Sequence, residues 1–262
     1  MAEKPNAVQA IDRLCFNEHG ILHGEFKNLY PALFDHAEKH IAVVQALAKR
    51  NTGLQRTELI NQCGFSSGGT LTKVLDELKE SGFIDSYLPF NRNAKDTIYR
   101  LTDEYSRFYL KFMDNRRTVK AGTWAKMAFA PSWMSWSGVA FEALCLKHIA
   151  DIKQALGIPA VYTEESPWRY LPKHGQGDGV QVDLLIDRQD HSINLCEMKF
   201  STGKFSIDKK YAENLRQKVS LFREYSGTRK SVFLTAITTF GVQENIHKIG
   251  LVQNEVTMEA FF

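Results

Sequence analysis

The stretch 179–200, GVQVDLLIDRQDHSINLCEMKF, constrains this chain more than any other. It reads as two β-strands joined by a tight loop. Asp183, Glu197 and Lys199 stand where strands normally carry apolar side chains. Strand side chains alternate between faces, so Glu197 and Lys199 share one face and Cys196, Met198 and Phe200 take the other. If the loop is Gln189-Asp190-His191, Asp183 falls directly opposite Glu197, with the two Cβ atoms roughly 5 Å apart. A two-residue loop sets Asp183 opposite Met198 instead, on the wrong face. Like charges directly opposite are destabilising, and a bound divalent cation is the simplest relief.

An Asp on one strand followed by Glu-x-Lys on the next resembles the site of the PD-(D/E)XK, or restriction-endonuclease-like, superfamily. The residues that carry the resemblance are Val182-Asp183-Leu184-Leu185-Ile186 and Leu195-Cys196-Glu197-Met198-Lys199. The resemblance implies Mg²⁺ on the carboxylates of Asp183 and Glu197, since Mg²⁺ prefers oxygen ligands and keeps several waters. Lys199 would then act catalytically, orienting the attacking water or stabilising the transition state of phosphodiester cleavage. The bland reading of the same residues is a Glu–Lys pair beside a solvated Asp.

The flanking sequence follows the same order. Residues 131–158 read as one helix with Val139, Leu146, Ile149, Ile152 and Leu156 at helical spacing, ended by Gly157 and Pro159. Glu142 shares a stripe with Cys145, Ile149, Ile152 and Leu156, and a carboxylate on an apolar face is costly unless paired or metal-bound. The superfamily resemblance makes Glu142 a further candidate catalytic residue. The alternative is an acid favoured by the helix dipole. Residues 207–225 read as a helix with the stripe Tyr211, Leu215, Val219 and Phe222, and 231–237 as a short buried strand. Gln217 on that helix is either an additional polar site residue or solvated. Helix, three strands, helix, strand is the α-β-β-β-α-β core order of that nuclease fold, with a right-handed crossover.

The N-terminal half has its own pattern. Residues 34–49 form an amphipathic helix. Residues 57–63 form a short one with Thr57 as its N-cap, and Ser66-Ser67-Gly68-Gly69 makes a turn. Residues 70–81 form a third helix with Leu71, Val74, Leu75 and Leu78 inward. Strands follow at 83–87 and 97–101 around a polar loop, 89–96. Three helices and a β-hairpin make a winged helix, whose third helix enters a DNA major groove by analogy with helix-turn-helix proteins. Lys73 on that helix, and Arg92, Asn93 and Lys95 in the wing, are the candidate DNA contacts. Between residues 66 and 95 the basic residues Lys73, Lys79, Arg92 and Lys95 are matched by Asp76, Glu77, Glu80 and Asp85. The segment therefore has no net positive charge to supply non-specific affinity, and a protein-interaction role stands beside the DNA one.

Across 262 residues the formal net charge is +3, which by itself does not imply nucleic acid. Cys15, Cys63, Cys145 and Cys196 have no zinc spacing, and with no signal peptide they point to a reducing, cytoplasmic setting. No apolar run approaches the ~20 residues of a membrane span, so no membrane is expected.

Residues 7–113, with AIDRLCFNEHGILHGEFKNLYPALF, QALAKRNTGLQRTELINQCG, LTKVLDELKESGFI and YRLTDEYSRFYLKFM, resemble the region after the nucleotide-binding core of a family of archaeal and bacterial AAA-type ATPases. Residues 136–262, with FEALCLKHI, VQVDLLIDR, CEMKFS, YAENLRQKVSLF and VQNEVTMEAFF, resemble that family's C-terminal nuclease-like domain. No G-x-x-x-x-G-K-[ST] occurs in the sequence, so ATP hydrolysis by this chain alone is not expected. The expected organisation is α/β: 1–33 resembling the end of an ATPase lid, 34–101 a winged helix, 102–130 a helical connector and 131–262 the nuclease-like domain. The expected function is a DNA-associated accessory protein with Mg²⁺-dependent nuclease chemistry. The alternatives are a non-catalytic regulatory or interaction module with a degenerate nuclease core, serving a P-loop ATPase domain or subunit, and a fragment with no independent role.

Overall fold

Residues 6–66, 68–114, 120, 122–172 and 179–262 are described in a computed structural model of the chain. Ser67 of the expected turn, residues 1–5 of the lid-like segment, and 115–119 and 121 of the connector lie outside the described residues. The chain separates into two units, Met1–Tyr87 with Thr97–Trp136, and Leu88–Asp96 with Ser137–Phe262. Both mix helices with a sheet, so the fold class is α/β.

The first unit begins with α1 (Ala7–Ile11), capped by the Asn6 side chain, which accepts from the Gln9 amide at 2.9 Å. The chain continues as a π-helical turn into α2 (Glu25–Leu33), α3 (Ala37–Ala48), β1 (Leu54–Gln55) and α4 (Arg56–Cys63). The N-cap of α4 is Gln55 rather than Thr57: Glu58 reaches back to accept from the Gln55 amide at 2.8 Å, closing a capping box. The third helix, α5 (Gly68–Glu80), takes in both glycines of the expected turn and buries Leu71, Val74, Leu75 and Leu78. β2 (Ile84–Tyr87) and β3 (Ile98–Leu101) pair antiparallel, and β1 adds to them in the order β1-β3-β2. β1 has no signature of its own in the sequence, because two residues show no alternation. Gly53 before it sits at φ 80°, where a Cβ would meet the Tyr99 carbonyl at 2.6 Å. α6 (Glu104–Phe112), capped by Asp103, and α7 (Thr123–Met127) complete the unit. Phe108, Phe112 and Trp124 pack edge-on there, with Phe16 stacked on Trp124.

The second unit is built on a five-stranded sheet. Its strands are β4 (Thr163–Tyr170), β5 (Val180–Arg188), β6 (Ser192–Lys199), β7 (Ser231–Thr238) and β8 (Asn254–Thr257), side by side in chain order. β4, β5 and β6 run antiparallel; β6, β7 and β8 run parallel. A parallel pair needs a crossover, and α10 (Lys209–Ser226), capped by Asp208 and closed by Gly227 at φ 68°, supplies the one from β6 to β7. Leu184, Ile186, Cys196, Met198 and Ile237 face one core with Phe141, Cys145 and Ile152. Val182, Leu185, Leu195 and Leu234 face the other, with Leu215 and Phe222 of α10.

The single helix read over 131–158 is broken. α8 (Pro131–Lys147) ends at His148, which leaves helical geometry at φ −104°, ψ 30°, and α9 (Ile149–Ala155) restarts beyond it. The His148 ring bonds Asp151 at 2.8 Å and stacks on Phe261, which holds the break. The segment Leu88–Asp96 also belongs to this unit. Phe90 packs edge-on to Phe222 at 5.6 Å, its amide donates to the Pro167 carbonyl at 2.8 Å, and Asn91 donates to the Ser226 carbonyl at 3.2 Å. Among the described residues no helix is long and apolar enough to cross a membrane.

Candidate functional site

The β5–β6 hairpin turns through Gln189-Asp190-His191, with His191 at φ 60°. A left-handed residue is what three-residue hairpin loops require. The observed pairs run from Asp187↔Ile193 to Leu184↔Cys196. The same register continued by one residue sets Asp183 across from Glu197, as counted from the longer loop.

The ladder stops just there. β5 stays paired with β4 as far as Tyr170↔Val180, while β6 stays paired with β7 as far as Lys199↔Thr238. Beyond Leu184↔Cys196 the two strands therefore have different partners, and the sheet forks at Asp183 and Glu197.

A bulge on the other side of β5 has the same location. Ser166 pairs with Leu185 and Trp168 with Val182, so Asp183 and Leu184 together oppose the single residue Pro167. Proline has no N–H to give to a ladder, and bulges re-aim side chains. Val182 and Leu185 both face the α10 core, which strict alternation forbids for residues three apart. The two counts of alternation meet at Asp183. Its carboxylate is fixed there by Gln181, whose side-chain amide donates to Oδ1 at 2.7 Å.

Glu197 is buried and surrounded by donors. Lys218 Nζ lies 2.8 Å from Oε2, Lys199 Nζ lies 3.3 Å from Oε1, and the Tyr211 hydroxyl donates to Oε1. Burial pushes this carboxyl up, but Lys218 and Lys199, with the hydrogen bonds from Lys218 and Tyr211, more than reverse it. The net position is below the ordinary value of 4.5. Tyr211 moves the opposite way. Burial comes first, then the negative charge of Glu197 and its hydrogen bond, then the charge of Glu142, and together they hold its hydroxyl far above the usual phenol range. Glu142, half-buried on α8, thus acts electrostatically on Tyr211, as it does on Cys145.

The sequence candidates separate as follows. Glu197 and Lys199 are in contact, Asp183 is across the fork, and Glu142 acts on the ring that bonds Glu197. Gln217 is exposed. Lys73 belongs to the first unit and pairs with Glu77 at 3.7 Å, whereas Arg92, Asn93 and Lys95 are exposed in a segment of the second. Tyr211 and Lys218 were not read as site residues. A signal existed: Tyr211, Leu215, Lys218 and Phe222 are spaced i, i+4, i+7, i+11, so the lysine falls on the buried stripe.

Among the described residues no three His, Cys, Asp or Glu side chains group as a metal centre. Mg²⁺ does not require three, because it is commonly held by one or two carboxylates with water completing its shell. Asp183 and Glu197 are hard oxygen donors of the right kind, and the Lys218 ammonium already places a cation on Glu197 Oε2. The donor chemistry of Asp183 and Glu197 suits the ion. A cavity of about 10 Å³ against Glu197, Lys199 and Tyr211 holds at most about one water.

The four cysteines are free, and burial pushes the thiols of Cys145 and Cys196 well up, which removes them as nucleophiles. No family model matches the chain, and neither a curated protein nor a solved structure matches it.

Proposed function

We propose that this chain is a DNA-associated accessory protein whose second unit is a PD-(D/E)XK-type domain that cleaves phosphodiester bonds with Mg²⁺. The carrying observation is the fork in the sheet. It opens beyond Leu184↔Cys196, where the same register continued by one residue sets Asp183 across from Glu197, with Lys199 two residues on along β6. The order α8/α9, β4, β5, β6, α10, β7 supports the same reading, since it is the helix, three strands, helix, strand of that nuclease core. For the first unit, α3, α4 and α5 with the sheet β1-β3-β2 support a winged helix.

In this reading Asp183 and Glu197 would hold the ion, which supplies charge neutralisation and an acidified water when bound. Lys199, only partly covered at 36% side-chain exposure, presents its ammonium beside Glu197 and orients the attacking water. Tyr211, kept protonated, donates to Glu197 and fixes the carboxylate's rotamer. Glu142 adds negative charge near Tyr211, which holds that hydroxyl in its donor state.

The test is incubation of the full chain with plasmid and single-stranded DNA in Mg²⁺ or Mn²⁺. Cleavage lost in both Asp183→Ala and Lys199→Ala, with metal binding lost only in the former, is the expected result. No cleavage by any preparation that binds metal would reject the enzyme.

A second reading is favoured by the saturation of Glu197. Both its oxygens have protein donors, as in a structural ion cluster. The chain would then be a non-catalytic module of a P-loop ATPase partner. A folded protein that binds neither metal nor DNA but binds such a subunit would establish it.

A further inference from the structure

Lys218 lies outside the Asp…Glu-x-Lys pattern, yet it makes the shorter of the two ion pairs to Glu197. It projects from α10 two turns after Tyr211 and is 18% exposed, half as much as Lys199. A lysine on the buried face of a helix pays desolvation, which only a paired carboxylate offsets. Glu197 therefore carries two ammonium groups, and a divalent ion approaching Oε2 meets a cation that is already there.

We propose that Lys218 is a built-in competitor for the metal at Glu197. It holds Oε2 in the metal-free protein and must withdraw before an ion is bound there, so α10 sets the metal affinity of the site. This rests on the nuclease-like reading above. Lysine suits the role because its flexible four-carbon stem carries a compact charge that can swing to water, whereas arginine's planar fork is harder to disengage from a carboxylate. Lys199 is less suited: it is more exposed, sits farther from the carboxylate at 3.3 Å, and shares Oε1 with Tyr211. The competition has a consequence for substrate. A phosphodiester at the fork offers Lys218 another anion, so metal and polyanion bind with positive coupling, each raising the other's affinity by the same factor.

The experiment is calorimetric titration of the full chain with Mn²⁺, comparing wild type, Lys218→Met and Lys218→Arg. Methionine keeps the apolar stem and removes the charge. Lys218→Met should bind on the order of tenfold more tightly, the worth of one charge-assisted hydrogen bond, and Lys218→Arg no more tightly than wild type. Equal or weaker binding by Lys218→Met overturns the competition while leaving the metal site standing. Binding by none of the three overturns both. Should Lys218→Met fail to fold, the wild type decides by NMR of ¹³C-methylated lysines, with Lys218 assigned from its loss in Lys218→Arg. Its resonance should move with saturating Mg²⁺ while that of exposed Lys73 does not. A stationary Lys218 signal in protein that binds Mg²⁺ overturns the proposal.

Discussion

Lys218 and Glu197, twenty-one residues apart, meet at 2.8 Å beneath the point where the sheet divides. The contact joins the helix that crosses over to β7 with the strand it leaves. It also explains how a glutamate with 10% side-chain exposure stays ionised. Two ammonium groups, those of Lys218 and Lys199, balance the carboxylate from within the fold.

Removing Glu197 strands both lysines. Glu197→Ala should destabilise the second unit by about 3 kcal/mol, because a buried charge without its partner keeps its desolvation cost. Urea denaturation checks this. An unchanged midpoint would mean that Lys218 and Lys199 reach water freely.

Acid should act through the same carboxyl. A group whose folded pKa lies below its unfolded value contributes stability that is fully present above the unfolded value and is lost as pH falls through the folded one. For Glu197 that loss begins below the ordinary 4.5. Melting temperatures measured from about pH 6 to about pH 3 should fall more steeply in wild type than in Glu197→Gln. Parallel curves would show that another carboxyl controls acid unfolding.

Asp183 should behave differently from Glu197. Asp183→Ala loses the hydrogen bond from Gln181, worth about 1 kcal/mol, and loses the heat of Mn²⁺ binding. A destabilisation of about 3 kcal/mol or more would make it part of a structural network like that of Glu197.

Phe90 anchors the segment that carries Arg92, Asn93 and Lys95. Phe90→Ala removes an edge-on contact to Phe222 and should cost about 2 kcal/mol. Amide exchange over residues 88–96 should quicken. Unaltered exchange would show that the hydrogen bonds to Pro167 and Ser226 suffice without the ring.

DNA contact is read by salt dependence. If duplex binding occurs, Lys73→Ala and Arg92→Ala should each lower the slope of log K against log salt by about one unit. The full chain is required, since a 34–101 fragment takes Leu88–Asp96 away from the unit it packs in. Absence of binding at about 50 mM salt favours the protein-interaction role.

Much of the strand pair was legible because alternation and loop length are local properties. Counting through Gln189-Asp190-His191 yields the register observed from Asp187↔Ile193 to Leu184↔Cys196, and period two places Met198 in the core and Lys199 beside Glu197. The amphipathic stripe of α5 was legible in the same way. The helix break at His148 was not, since it depends on Phe261, more than a hundred residues later. Nor was β1, whose two residues are a strand only because β3 lies alongside.

The sequence by itself determined which residues carry charge into the sheet and on which strand each stands, because side-chain direction along a strand follows from backbone geometry. Tertiary structure alone decided what those charges meet. The fork depends on β5 keeping β4 while β6 keeps β7. The Asp183 bulge depends on Pro167 of β4. The second cation on Glu197 depends on how α10 lies across the sheet. Each joins residues distant in the chain, and the interaction between two such charges is set by their separation and burial, quantities that exist only once the chain is folded.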